Sequence, residues 1–321
     1  MTGTAAAGPV TWVIGAGGLL GSNVCAELSR RPGRVLRSAV PWTDPAASGS
    51  ALRAGMDTLL DLSRGQPGGW RIAWCAGAGV TGTSATVLDQ EVATFTGFLA
   101  DLADRGAEPG ALFVASSAGA VFAGAGGAPF TEEHATFSLS GYGEAKLAAE
   151  AAARSFARRT GSGVLVGRIA NLYGPGQNLG KPQGLISHLC RSNLTGQPVS
   201  IFVSLDTIRD YLYVGDCARM VTDGLDRAAG LRDGSDNYRM KILASERGVS
   251  IGAIIAECRR VFKKNPRVVL GTSPNARFQV RDLRMRSVVW PGLGGAGLTT
   301  LPAGIAATGA ALRRRALAGG C

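Results

Sequence analysis

A tyrosine and a lysine stand four residues apart in Tyr142-Gly143-Glu144-Ala145-Lys146, at the head of an alanine-rich stretch. On a helix that spacing puts both side chains on one face, a turn apart. A phenol exchanges a proton with a substrate hydroxyl near neutral pH only where positive charge stabilises the phenolate, and an ammonium or an oxidised nicotinamide supplies such charge. Tyr142 is thus a candidate acid/base. Upstream, Ser116 and Ser117 close the apolar run Phe113-Val114-Ala115. A hydroxyl there could hold the reacting oxygen toward the phenol, although serines at strand ends also serve as turn formers.

A second group of residues has the spacing of a dinucleotide site. Gly15, Gly18 and Gly21 match GxxGxxG directly after the β-prone run Val10 to Ile14, and Gly17 adds another small residue. The helix that follows such a turn aims its N-terminal N–H groups and dipole at a diphosphate. After the next apolar run, Val35-Leu36, a carboxylate would accept the ribose hydroxyls of NAD. The chain instead reads Arg37-Ser38-Ala39-Val40, with no acid until Asp44. A guanidinium suits a 2′-phosphate, so Arg37 tips the expectation from NAD toward NADP, the alternative being a surface arginine without a ligand.

These side chains need a scaffold that brings them to one edge. Short apolar runs recur at Val10 to Ile14, Val35-Leu36, Thr58 to Leu62, Ile72 to Cys75, Leu112 to Ala115 and Val164 to Val166. Helix-prone stretches separate several of them, notably Asp89 to Arg105 and Gly143 to Arg159. The alternation predicts an α/β fold, a Rossmann-type doubly wound parallel sheet with ligands at its carboxyl edge. Beyond Gly174 the pattern loosens, with shorter helices expected near Leu185 to Leu194, Asp216 to Ala229 and Ile251 to Phe262. We expect a dinucleotide-binding domain over 1–173 and a smaller C-terminal substrate-binding lobe over 174–321, some of whose segments return to the main sheet.

Composition narrows the classes. With 321 residues, 45% of them hydrophobic, the chain can bury a core without disulfides or metal. Its six cysteines are scattered without a CxxC pair and it has two histidines, so no metal centre is expected. No apolar run approaches membrane-spanning length and no secretory signal is visible, which favours the cytoplasm and free thiols. The net charge of +11 is concentrated late, where Arg277, Arg281, Arg284, Arg286, Arg313, Arg314 and Arg315 face the single acid Asp282. That excess fits a solvated face, an anionic substrate or an acidic surface; no aromatic-plus-basic motif supports nucleic acid.

Together the motifs resemble the extended short-chain dehydrogenase/reductases, the NAD-dependent epimerase/dehydratase family acting on nucleotide sugars. The resemblance rests on the Gly15 to Gly21 turn, Cys75-Ala76-Gly77-Ala78 at an expected fourth strand, Ser116-Ser117, and Tyr142 to Lys146. It is carried most specifically by Arg168-Ile169-Ala170-Asn171-Leu172-Tyr173-Gly174-Pro175-Gly176-Gln177 and by Arg209-Asp210-Tyr211-Leu212-Tyr213-Val214. It implies a catalytic set of Ser117, Tyr142 and Lys146, with Ser116 as the alternate serine and Lys146 also holding the cofactor ribose. It implies a cofactor set of Gly15, Gly17, Gly18, Leu19, Leu20, Gly21, Arg37, Asp61, Leu62, Cys75, Ala76, Gly77, Ser116, Tyr142 and Lys146. Asn171 and Arg209 are similar to positions that hold the sugar-nucleotide diphosphate, and Arg277 to a second phosphate-binding arginine.

The chain departs from the dehydratases, because Ala118-Gly119-Ala120 replaces their acids after the serine. It also lacks the Cys and His that resemble those of GDP-fucose synthase. A 4-epimerase or 4-ketoreductase is therefore expected, working on a nucleoside-diphosphate sugar with NADP or NAD, as a homodimer. The alternatives are a catalytically silent nucleotide-binding scaffold or regulator, and a reductase of an apolar hydroxy compound.

Overall fold

The computed structural model describes residues 8–318 except 67, 182, 234–235, 273–279 and 296. The first half alternates strands and helices: β1 (Val10–Ile14), α1 (Leu19–Leu28), β2 (Arg34–Arg37), α2 (Pro45–Ser63), β3 (Trp70–Trp74) and α3 (Ala85–Asp104). There follow β4 (Ala111–Ser117), the single turn α4 (Ala118–Val121), α5 (Gly141–Thr160), β5 (Gly163–Ile169) and β6 (Asn171–Tyr173). The second half comprises α6 (Leu185–Thr195), β7 (Val199–Ile201), β8 (Ile208–Tyr213), α7 (Val214–Ala229), β9 (Tyr238–Leu243) and β10 (Gly248–Ser250). It closes with α8 (Ile251–Phe262), β11 (Val268–Leu270), β12 (Asp282–Leu283) and α9 (Leu301–Leu317).

Six strands form one parallel sheet in the order β2-β1-β3-β4-β5-β9. The sheet is buried on both faces, which is why its central strands read as nearly continuous apolar runs. One face packs Trp12, Ile72, Leu112 and Val164 against Met56, Phe98 and Phe156 from α2, α3 and α5. The other packs Val13, Phe113 and Leu165 against Val24 of α1 and Val221 of α7. Chain order reverses between β1 and β3, so the crevice at their carboxyl ends is the place where this topology receives a ligand. A smaller lobe of α6, α8, α9 and β8 has its own core around Tyr173, Ile186, Leu189, Tyr211, Ile254 and Ile305.

One expected strand is absent. Residues 58–62 lie in α2, whose buried side chains Leu52, Met56 and Leu59 recur at helical spacing. Asp44 starts this helix by accepting a hydrogen bond from the Ala47 N–H at 3.0 Å, with Pro45 in the first turn. The expected cofactor residues Asp61 and Leu62 consequently sit at the wrong end of the sheet, in the last turn of α2 where it leads into β3. Asp61 is exposed and paired with Arg64, while Leu62 packs on the core. Cys75 follows the third strand of the chain rather than the fourth. α7 and β9, from beyond residue 174, belong to the main sheet rather than the lobe.

Candidate functional site

The turn after β1 and the turn after β3 touch. Gly15 has a φ of +86°, and a Cβ there would lie 2.7 Å from the Ala76 nitrogen, so only glycine fits. Gly18 caps α1 without any side-chain bond, and no acid stands in the first turn. Its leading N–H groups thus remain available to an anion, and a Cβ on Gly17 would meet nothing within 4 Å. These are the features a diphosphate cradle requires. Asn23 ties α1 to the lobe by donating to the Pro175 carbonyl at 3.3 Å. Cys75, Ala76 and Gly77 form the facing wall, with Gly77 at φ +146°.

α5 delivers the tyrosine and lysine. Its N-cap Ser140 accepts from the Gly143 N–H, Glu144 lies in the first turn, and Arg158 and Arg159 occupy the last turn before Gly161 at φ +70°. Lys146 Nζ lies 5.5 Å from the centre of the Tyr142 ring and 3.2 Å from where a Cβ on Gly77 would be. The Tyr142 ring edge lies 3.4 Å from the corresponding point on Gly79. Glycine at 77 and 79 therefore lets the ammonium and phenol press against the turn after β3.

That turn is held by a residue the motifs did not flag. Glu91 of α3 accepts hydrogen bonds from the Ala78 and Gly79 N–H groups, each at 2.7 Å. An acid early in the helix after a glycine turn was the available signal. Lys181, from the loop before α6, reaches the Ala78 carbonyl from across the crevice at 3.5 Å.

The paired serines separate. Ser116 is buried and donates to Glu150 at 2.6 Å, and Glu150 forms a buried ion pair with Arg168 at 2.7 Å. Its hydroxyl is committed beneath α5 and does not reach the crevice. Ser117, on the opposite face of β4, is half-buried and among the described residues accepts a single long 3.4 Å cap bond from Ala120. Its proton remains free to donate.

Beyond β5, Asn171 begins β6 and is exposed, with Oδ1 4.0 Å from where a Cβ on Gly119 would be. Burial pushes the neighbouring Tyr211 phenol up to about 12, opposed by Arg209 and by a hydrogen bond with Asn171. Arg209 is buried in β8, donates to the Ile208 carbonyl at 2.8 Å, and senses Asp282 nearby. Its adjacent acid is engaged elsewhere: Asp210 accepts from the N–H and hydroxyl of Ser245 at 2.8 and 2.9 Å. Arg277 lies outside the described residues. At the far edge, Arg37 is exposed at the end of β2 and bonds the Cys25 thiol.

The profile of the NAD dependent epimerase/dehydratase family matches residues 73–235. The chain belongs to that family. Over 119 residues it is 32% identical to dTDP-4-dehydro-6-deoxyglucose reductase of Escherichia coli, a match covering 37% of each protein. The chain thus spans little more than a third of that relative. Among solved structures, MoeE5 in complex with UDP-glucose and NAD is 25% identical, with a TM-score of 0.74 over 96% of this chain and 100% of that one. UDP-glucose 4-epimerase of Thermotoga maritima, with UDP-glucose, reaches a TM-score of 0.76 at 20% identity over 96% and 100%. These likenesses agree with the doubly wound fold.

Proposed function

We propose that the chain is an NAD(P)-dependent nucleotide-sugar 4-epimerase or 4-ketoreductase. The observation that carries this reading is Lys146 set between Tyr142 and Gly77, so that one ammonium serves both the phenol and the cofactor-side turn. A bound nicotinamide supplies the hydride acceptor or donor. Gly15, Gly17, Gly18 and Gly21 hold its diphosphate, and Lys146 hydrogen-bonds its ribose. Tyr142 takes or returns the proton of the carbinol at sugar carbon 4, with the cost of the phenolate lowered by Lys146. Ser117 donates to the same oxygen and keeps it in line. Asn171 and Arg209 hold the nucleotide diphosphate; that MoeE5 binds UDP-glucose and NAD in the same fold supports this assignment.

The cofactor is NADP rather than NAD on this reading. Arg37 stands at the carboxyl end of β2, and Asp44, the first acid after it, is used as the cap of α2. The chain works as a homodimer, which sedimentation tests directly. Incubation with UDP-glucose and NAD, and separately with a nucleoside-diphosphate 4-ketosugar and NADPH, separates the two chemistries. Epimer formation supports the first, and NADPH oxidation the second. Cofactor binding without turnover on either, nor on an apolar ketone, would leave a silent nucleotide-binding scaffold; turnover on the apolar ketone alone would place the substrate outside the nucleotide sugars.

A further inference from the structure

Three helices of the lobe end on one side of it. Lys264, just past α8, reaches the Asn193 carbonyl near the end of α6 at 3.5 Å. Gly309 of α9 packs directly against the ring of Phe262, the last residue of α8. Leu312, one turn on, still joins the lobe core, but residues 313–318 are exposed on every side. The end of α9 therefore projects from the body.

Cations crowd this end. Arg259, Arg260, Lys263 and Lys264 line one surface basin, and Arg313, Arg314 and Arg315 stand on the projecting turn. Among the described residues, Arg260 alone of these seven forms an ion pair, with Glu257. One or two cations complement a helix C-terminus, so the dipoles do not account for the number. Lys263 moreover has a φ of +54°, in the left-handed region that a glycine usually fills after a helix. A charged side chain is kept there against the backbone's preference. On the same projecting end as Arg313, Arg314 and Arg315, the aliphatic Leu317 is 83% exposed.

We propose that this end of the lobe docks the protein on an anionic membrane surface. The seven cations meet lipid phosphates, and Leu317 enters the boundary between headgroups and acyl chains. Cations beside aliphatic groups fit that boundary, whereas a single-stranded nucleic acid would call for aromatic rings on which bases stack. None of these residues takes part in the Tyr142 site, so docking and turnover are separable.

Cosedimentation of the full chain with phosphatidylcholine vesicles, with and without phosphatidylglycerol, tests this. Binding is expected only with phosphatidylglycerol and should fall as salt rises. Replacing Arg313, Arg314 and Arg315 together by Ala should weaken partitioning about a hundredfold, from the usual contribution of each basic residue near such a surface. Lys263→Glu with Lys264→Glu should weaken it at least about tenfold on the same basis, and Leu317→Asp should weaken it further. Cofactor binding and melting temperature should hold in all three. Absence of binding to anionic vesicles, equal binding to neutral ones, or insensitivity to salt would overturn the proposal without reference to any variant. Tighter binding to RNA or duplex DNA than to anionic vesicles at equal salt would assign the face to nucleic acid instead.

Discussion

The Lys146 ammonium lies 5.5 Å from the centre of the Tyr142 ring, one helical turn away, and rests against Gly77 of the turn after β3. The lysine thus packs against a turn whose backbone α3 holds through Glu91. Phenol, ammonium and glycine turn thus lie together at the carboxyl edge of the sheet.

Tyr142→Phe should lower turnover by about a hundredfold or more, the usual size of a general acid/base contribution, with cofactor affinity and melting temperature unchanged. Steady-state kinetics beside a cofactor titration check it. Full turnover in the variant would remove the phenol from the reaction.

Arg37→Asp should shift preference from NADP to NAD, because it replaces a phosphate-pairing guanidinium with an acceptor for ribose hydroxyls. Parallel titrations of both cofactors read the shift. An unsubstituted protein that already binds NAD more tightly would refute the NADP assignment.

Arg209→Ala should raise the Michaelis constant for a nucleotide sugar about tenfold to a hundredfold, the range for a lost charge-assisted hydrogen bond, with a smaller fall in saturated turnover. Because Arg209 is buried near Asp282, a thermal melt must accompany the kinetics. A lowered melting temperature with unchanged substrate affinity would make the residue structural.

Asp210 predicts a specific pH dependence of stability. Its carboxyl is raised to about 6, chiefly by burial, and Oδ2 has no hydrogen-bond partner among the described residues. A raised acid favours the folded state below its unfolded value, near 4, and loses that contribution as pH climbs through the folded value. Stability should therefore fall by roughly 3 kcal/mol across that interval on account of this group. Asp210→Asn should flatten the profile of melting temperature over the same interval; an unchanged slope would assign it to other groups.

Much of the candidate site's local geometry was legible because its information is local. The glycine turn, Tyr142 with Lys146, and the runs around Asn171 and Arg209 are spacings of a few residues that define a turn or a helix face. What escaped depends on distant partners. Ser116 and Ser117 differ because Glu150, 34 residues along, claims one of them. Glu91 matters through the backbone of a turn 12 residues before it. Thr58 to Leu62 resembled a strand because a five-residue apolar run has no resolvable period; Leu52 and Met56, lying before it, set the helical register.

With residues 58–62 in α2, β2 is one border of the six-stranded sheet. A border strand presents open backbone groups to any passing β-segment and is a common starting point for aggregation. This one is four residues long, Arg-Val-Leu-Arg, and both its arginines are exposed. A foreign strand laid alongside would have to accommodate a guanidinium at either end, with only Val35 and Leu36 between them to welcome it. Arg34 and Arg37 thus help keep the sheet from growing.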